Sequence, residues 1–183
     1  MSIKERVHET NRRRHNGEEG FTLIELLVVI LIIAILAAVG IVALLSALNS
    51  GKKSAATTTL RNAVNTVKAV QSGRGVQDFS GIDATSLLAE DPDIKFQGGA
   101  LTSNGDSTNR VAVATSGAFD SLTLHSRDGN GNCFFVVLNN SAGTRYAAQR
   151  KVANGTACSL PSTTYDNQAQ GWDVSAATVT TAP

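Results

Sequence analysis

An uncharged apolar run of about 20 residues, 26–45, constrains this chain more than any other feature. An α-helix rises about 1.5 Å per residue, so the run can cross a hydrocarbon core of about 30 Å. One acid, Glu25, stands at its start, and the segment before Gly20 is dominated by polar and charged residues. A carboxylate inside a bilayer costs about 2.5–3.5 kcal/mol on insertion scales, so it calls for a partner. Arg12, Arg13 and Arg14 precede the run and belong on the cytoplasmic side by the positive-inside rule. A twin-arginine export signal is disfavoured by the intervening Asn16-Gly17-Glu18-Glu19 and by the length of the run.

Gly20-Phe21-Thr22-Leu23-Ile24-Glu25-Leu26-Leu27-Val28 closely resembles the processing site of type IV prepilins and the related pseudopilins. The resemblance implies a prepilin peptidase that cuts between Gly20 and Phe21 and N-methylates Phe21. It also implies that Glu25 is the buried glutamate of the family. A secretory signal peptide loses its apolar region on cleavage; here the junction precedes that region, so the mature chain keeps the helix as a working part. The α-amino group of Phe21, created by cleavage, is the natural partner for Glu25. Residues four apart share a helix face, which permits self-pairing. The family implies pairing with a neighbouring subunit, which would set axial stagger because an unpaired buried charge disfavours other registers. The alternative is that Glu25 snorkels at headgroup depth.

Four segments follow: a leader (1–20), a hydrophobic transmembrane or filament-core helix (21–50), an amphipathic extension (51–73) and a globular head (74–183). Asn49-Ser50-Gly51 weakens the helix, and Lys52-Lys53 marks the far interface. Beyond it, Ala56, Leu60, Ala63, Val67 and Val70 recur at three- and four-residue steps and form one apolar stripe. Lys53, Thr57, Arg61, Asn65 and Lys68 take the other side, and Gly73 is the expected C′ residue. Members related to the best-known pilins usually carry a proline midway along the membrane half; this chain has Val42 there, leaving Gly40 and the 49–51 break as sites for local melting.

The expected fold class is α+β, pilin-like: a long N-terminal helix packed on an antiparallel sheet of about four strands. The expected strands are 110–115, 119–126, 133–138 and 144–152, linked by Asp128-Gly129-Asn130-Gly131-Asn132 and Asn139-Asn140-Ser141-Ala142-Gly143. A short helix over 83–90, capped by Asp83 and stopped before Pro92, is predicted in the connecting region. Trp172 is placed against the sheet rim, and 175–183 as a loose tail. An exported chain reaches an oxidising compartment, where Cys133 and Cys158 would bridge; two free thiols are the alternative.

Net charge is +1, and the segment after Gly20 is balanced, so composition carries no strong nucleic-acid footprint. Arg145, Arg150 and Lys151 on one strand and its end make a DNA-binding patch conceivable, with a solvated strand face the plainer reading. Asp128, Asn130 and Asn132 alternate oxygen ligands like the start of a calcium loop, but Asn139 stands where an acidic twelfth ligand belongs. His125 is read as a partly exposed strand histidine, since its nearness in sequence to Ser126 and Asp128 does not make a triad. No cofactor or enzymatic activity is expected.

The resemblance implies a structural subunit of a type IV pilus, polymerised through its N-terminal helix and serving adhesion, motility or DNA uptake. Its partners would be prepilin peptidase, identical or related subunits, the inner-membrane assembly machinery, and membrane lipid before assembly. The subunit would be a single-pass inner-membrane protein, N-terminus inside, and then part of an extracellular filament. A type II secretion pseudopilin and a membrane-anchored binding module that never polymerises are the alternatives.

Overall fold

The computed structural model describes residues 20–104, 109–162, 164–173 and 178–179. Residues 1–19 of the leader and most of the 175–183 tail lie outside the described residues. Helix α1 spans Leu23–Arg74. The chain divides into two units, Met1–Leu45 and Ser46–Pro183.

In the first unit, every described residue is exposed, Ile30, Leu31, Ile35 and Val39 among them. This is the helix that length and composition suit to crossing a membrane. An apolar surface this continuous is not left to water by a soluble monomer, and needs lipid or neighbouring helices around it.

In the second unit, α1 buries the expected stripe of Ala56, Leu60, Ala63, Val67 and Val70. The stripe is wider than its apolar residues, because Thr57, Thr59 and Thr66 are buried as well. Thr57, expected on the solvent side, donates its hydroxyl to Lys53 O (3.0 Å), and Thr66 donates to Asn62 O (3.1 Å). A threonine that satisfies its hydroxyl on the preceding helical turn can be buried at little cost, which a polar/apolar pattern does not register. The helix passes through Asn49, Ser50 and Gly51 without interruption. It ends at Gly75, not Gly73: Gly75 takes φ 65° and its N–H donates to Ser72 O (3.3 Å). Arg74 stays helical and its Nη1 donates to Gly81 O (2.7 Å).

Helix α2, Ala84–Glu90, is capped as predicted: Ser86 N donates to Asp83 Oδ1 (2.8 Å), and Asp83 N donates to Ser86 Oγ (2.9 Å). The strands are β1 (Lys95–Gly98), β2 (Arg110–Thr115), β3 (Ser121–Arg127), β4 (Cys133–Asn139), β5 (Gly143–Arg150) and β6 (Thr178–Val179), in that spatial order. A one-turn helix α3, Gln168–Gly171, precedes β6. The β2–β5 meander is antiparallel, and Leu124 lies opposite Val113 and Val136. Both edge strands pair in parallel, so the sheet is mixed and has six strands among the described residues, against an expected four antiparallel ones. The missed edges are short: β1 buries only Phe96, and β6 has two residues. Neither carries an alternating pattern long enough to read. Strand β3 starts after residue 119 because Phe119 takes φ 55° in the preceding turn, and β5 stops at Arg150 because Lys151 takes φ 55°.

The sheet buries both faces. Val111, Val113, Leu122, Leu124, Phe134, Val136 and Leu138 pack with α1. On the opposite face Ala112, Cys133, Phe135 and Ala147 pack with Leu101, Val152 and Cys158 from the flanking segments. The unbroken run Cys133-Phe134-Phe135-Val136-Val137-Leu138 follows from this, since a strand covered on two sides has no polar face. Trp172 belongs to the helix-side core and not to the rim. Its Nε1 donates to Phe135 O (3.0 Å), its ring meets Phe134 and Tyr146 edge-on, and the Arg61 guanidinium lies 5.6 Å from its centroid. Residue 171 must be glycine for this docking, because a side chain there would collide with Tyr146.

Candidate processing and assembly site

Thr22 is the N-cap of α1, and Glu25 is its third residue. Glu25 Oε2 accepts from Thr22 N (2.9 Å) and from Thr22 Oγ1 (2.8 Å). Glu25 N in turn donates to Thr22 Oγ1 (3.3 Å). This reciprocal capping box satisfies orphan donors of the first turn, and it places a carboxylate where the helix dipole favours one. The spacing Thr22-x-x-Glu25 is that of a capping box, a local signal in the sequence that Glu25 has a partner in Thr22 as well as the one expected in Phe21. Gly20 and Phe21 precede the helix, and Phe21 is 87% exposed. Among the described residues, nothing beyond its chain neighbours lies within 4 Å of where a Cβ on Gly20 would sit.

The remaining sequence candidates lie in the head. Cys133 and Cys158 form a disulfide with Cα atoms 6.0 Å apart. The segment leading to Cys158 is also held by Arg127, a residue the sequence reading overlooked, whose side chain is fully buried. Its Nη2 donates to Val152 O (2.8 Å) and Ala153 O (2.9 Å), Nη1 to Thr156 O (2.7 Å), and Nε to Asn104 Oδ1 (2.9 Å). The available signal was position: an arginine two residues after His125 on one strand falls on the same face, and that face turned out to be covered.

Asp128 is also fully buried. Its Oδ1 accepts from Asn130 N (2.8 Å) and Asn132 N (2.9 Å), and its Oδ2 from Asn132 Nδ2 (2.7 Å). These bonds shape the β3–β4 turn. The third oxygen set aside for calcium, Asn130 Oδ1, accepts from Lys52 Nζ (3.5 Å). Among the described residues no three His, Cys, Asp or Glu side chains gather as a metal site. The basic residues do not form one patch. Arg145 is paired with Asp166 (2.7 Å), and strand alternation puts Arg145 and Arg150 on opposite faces.

His125 is buried, not partly exposed. Its Nε2 accepts from Leu101 N (3.3 Å), and its ring lies 5.3 Å from that of Phe135. Burial pushes the imidazole from 6.5 down to about 4. The unfolded chain therefore binds the extra proton first as pH falls. The contribution of His125 is fully present above about pH 6.5 and is lost progressively towards pH 4, up to about 3 kcal/mol in all. Denaturant titrations at pH 7 and pH 4.5 are expected to show this loss, and His125→Gln to flatten the difference between the two. An equal slope in the variant would mean that other groups carry the acid sensitivity.

Residues 15–41 match the prokaryotic N-terminal methylation motif. This prepilin-type motif spans the Gly20–Phe21 junction, the Thr22–Glu25 box and most of the apolar run. The remainder of the chain agrees with a pilin-like α+β fold, a long apolar then amphipathic helix with a small mixed sheet. No curated protein and no solved structure matches the chain.

Proposed function

We propose that this chain is a filament subunit of the type IV pilus kind, processed at Gly20–Phe21 and polymerised through its N-terminal helix. The observation that carries the reading is the Thr22–Glu25 box at the head of a fully exposed apolar helix, inside a matched methylation motif. Hydrolysis of the Gly20–Phe21 amide leaves a carboxylate on Gly20 and an amine on Phe21. Methylation of that amine keeps its basicity, so the new end remains a cation. Before assembly the helix crosses the inner membrane, and Glu25 is satisfied within its own first turn. In the filament, the Phe21 amine of a neighbouring subunit supplies the counter-charge, and this pairing fixes the axial register. An assembly machine in the inner membrane would supply the energy for extraction. Cys133–Cys158 and the clamp around Arg127 make the head a rigid, surface-displayed unit suited to an extracytoplasmic compartment.

Mass spectrometry of the chain from cells tests this reading. The expected mature end is N-methylated Phe21. A chain that still begins at Met1, or one cut after Ala47, overturns it.

A further inference from the structure

Asn130 and Asn132 stand two residues apart in the β3–β4 turn, and each is tied to a different basic segment. Lys52 Nζ on α1 donates to Asn130 Oδ1 (3.5 Å), and Lys151 N, just past β5, donates to Asn132 Oδ1 (3.3 Å). One tight turn thus gathers Lys52, its neighbour Lys53, and Lys151. Lys52, Asn130 and Lys151 are exposed, and Lys53 is half-buried. The acid within the turn, Asp128, is fully buried and directs its oxygens at the turn itself. The arrangement is built firmly. Gly131 has φ 83°, and a Cβ on it would lie 2.6 Å from Val152 O, so turn and β5 exit are locked together. Lys151 is held at φ 55°, a conformation that a non-glycine residue adopts only under constraint.

Lys52 follows Leu48, the last large apolar residue of the run, by four residues, or about 6 Å of helix rise. Chain connectivity alone therefore keeps Lys52, and the turn bonded to it, close to where a bilayer around the run would end. We infer that the 128–132 turn, with Lys52, Lys53 and Lys151, docks on anionic phospholipid headgroups before assembly. The inference rests on the proposed membrane-spanning state of the apolar run. Lipid is favoured over nucleic acid because the apolar run brings these lysines to a headgroup layer, whereas Arg145 is engaged with Asp166. Each lysine near an anionic surface contributes about a fivefold gain in attraction, screened by salt.

The test uses the full chain in nanodiscs of phosphatidylcholine alone or mixed with phosphatidylglycerol. Hydrogen exchange is read at the 130–132 and 151–152 amides. These amides are expected to be at least about fivefold more protected in the anionic discs. High salt should remove the difference, and so should the triple variant Lys52→Gln, Lys53→Gln, Lys151→Gln, with its melting temperature unchanged. Equal protection in the two discs overturns the inference. Protection by duplex DNA in phosphatidylcholine discs, with none from phosphatidylglycerol, overturns it in favour of a nucleic-acid surface. A chain that fails to co-purify with either disc overturns the membrane reading beneath it.

Discussion

Cells producing only the Glu25→Ala variant are expected to insert the chain and trim it at Phe21, yet to shed no filaments. The substitution leaves the apolar run intact and makes it easier to place in lipid, since a carboxylate at bilayer depth costs about 2.5–3.5 kcal/mol. In the proposed filament it would remove the counter-charge for a neighbour's Phe21 amine. Breaking one half of a buried pair costs about 3–5 kcal/mol, because the other charge remains desolvated and unmatched. That is a factor of more than about 100 at each subunit addition, and it recurs along the filament. Thr22→Ala separates the two roles of the carboxylate. It removes the hydroxyl that Glu25 now holds (2.8 Å) but leaves the charge in place. Its cost is that of a lost cap, about 1 kcal/mol, and filaments should persist. The readout is the sheared surface fraction examined by electron microscopy, with the mature N-terminus checked by mass spectrometry. Normal filaments from Glu25→Ala would mean that charge pairing does not set register. Loss of filaments from both variants alike would place the requirement in the helix cap.

Helices α1 and α2 were legible in the sequence because their information is local. The apolar run, the stripe Ala56–Leu60–Ala63–Val67–Val70 and the Asp83 cap each depend on residues within a turn or two of one another. The four central strands were legible too, since turn residues bracket them and buried Leu122 and Leu124 alternate with half-buried Ser121 and Thr123 in β3. What could not be read was set by partners distant in the chain. His125 looked half-exposed because nothing beside it announces that Leu101 will cover it. Trp172 looked peripheral because its partners, Phe135, Tyr146 and Arg61, lie between 26 and 111 positions away. The parallel edge strands depend on where the chain returns, and β1 has one buried residue to signal it. At the start of α1 the reverse held. Glu25 and Phe21 stood out as charge partners, and the quieter neighbour Thr22, which the carboxylate engages, did not.

Arg127→Met should destabilise the head by about 3–5 kcal/mol, the largest effect expected from a single substitution away from the N-terminal helix. Methionine can fill most of the space that the arginine stem occupies, so the loss comes mainly from stranded acceptors. Val152 O, Ala153 O and Thr156 O all receive guanidinium protons, and the side chain is fully buried. A folded domain has about 5–15 kcal/mol of stability in total, so a loss of this size takes a large share of it. Cys133→Ser provides the comparison. Closing a loop of sequence separation 25 contributes about 3–4 kcal/mol by restricting the unfolded chain. The two losses are similar in size and differ in kind. Without the disulfide, the 152–156 carbonyls still meet Arg127, and Ser159 N still donates to Gln149 Oε1 (3.0 Å), so the loop stays seated while the melting temperature falls. Without Arg127, the disulfide still tethers Cys158, but the loop loses its seat. Amide exchange at Cys158, whose N–H donates to Leu101 O (3.2 Å), and at Gly155, whose N–H donates to Thr102 O (2.7 Å), should then accelerate well below the melting transition. Thermal melting of the detergent-solubilised full chain is expected to fall by about 10 °C or more in Arg127→Met. A shift within about 2 °C, with unchanged exchange at these two amides, would mean that the guanidinium is replaceable and that the disulfide alone holds the second face of the sheet.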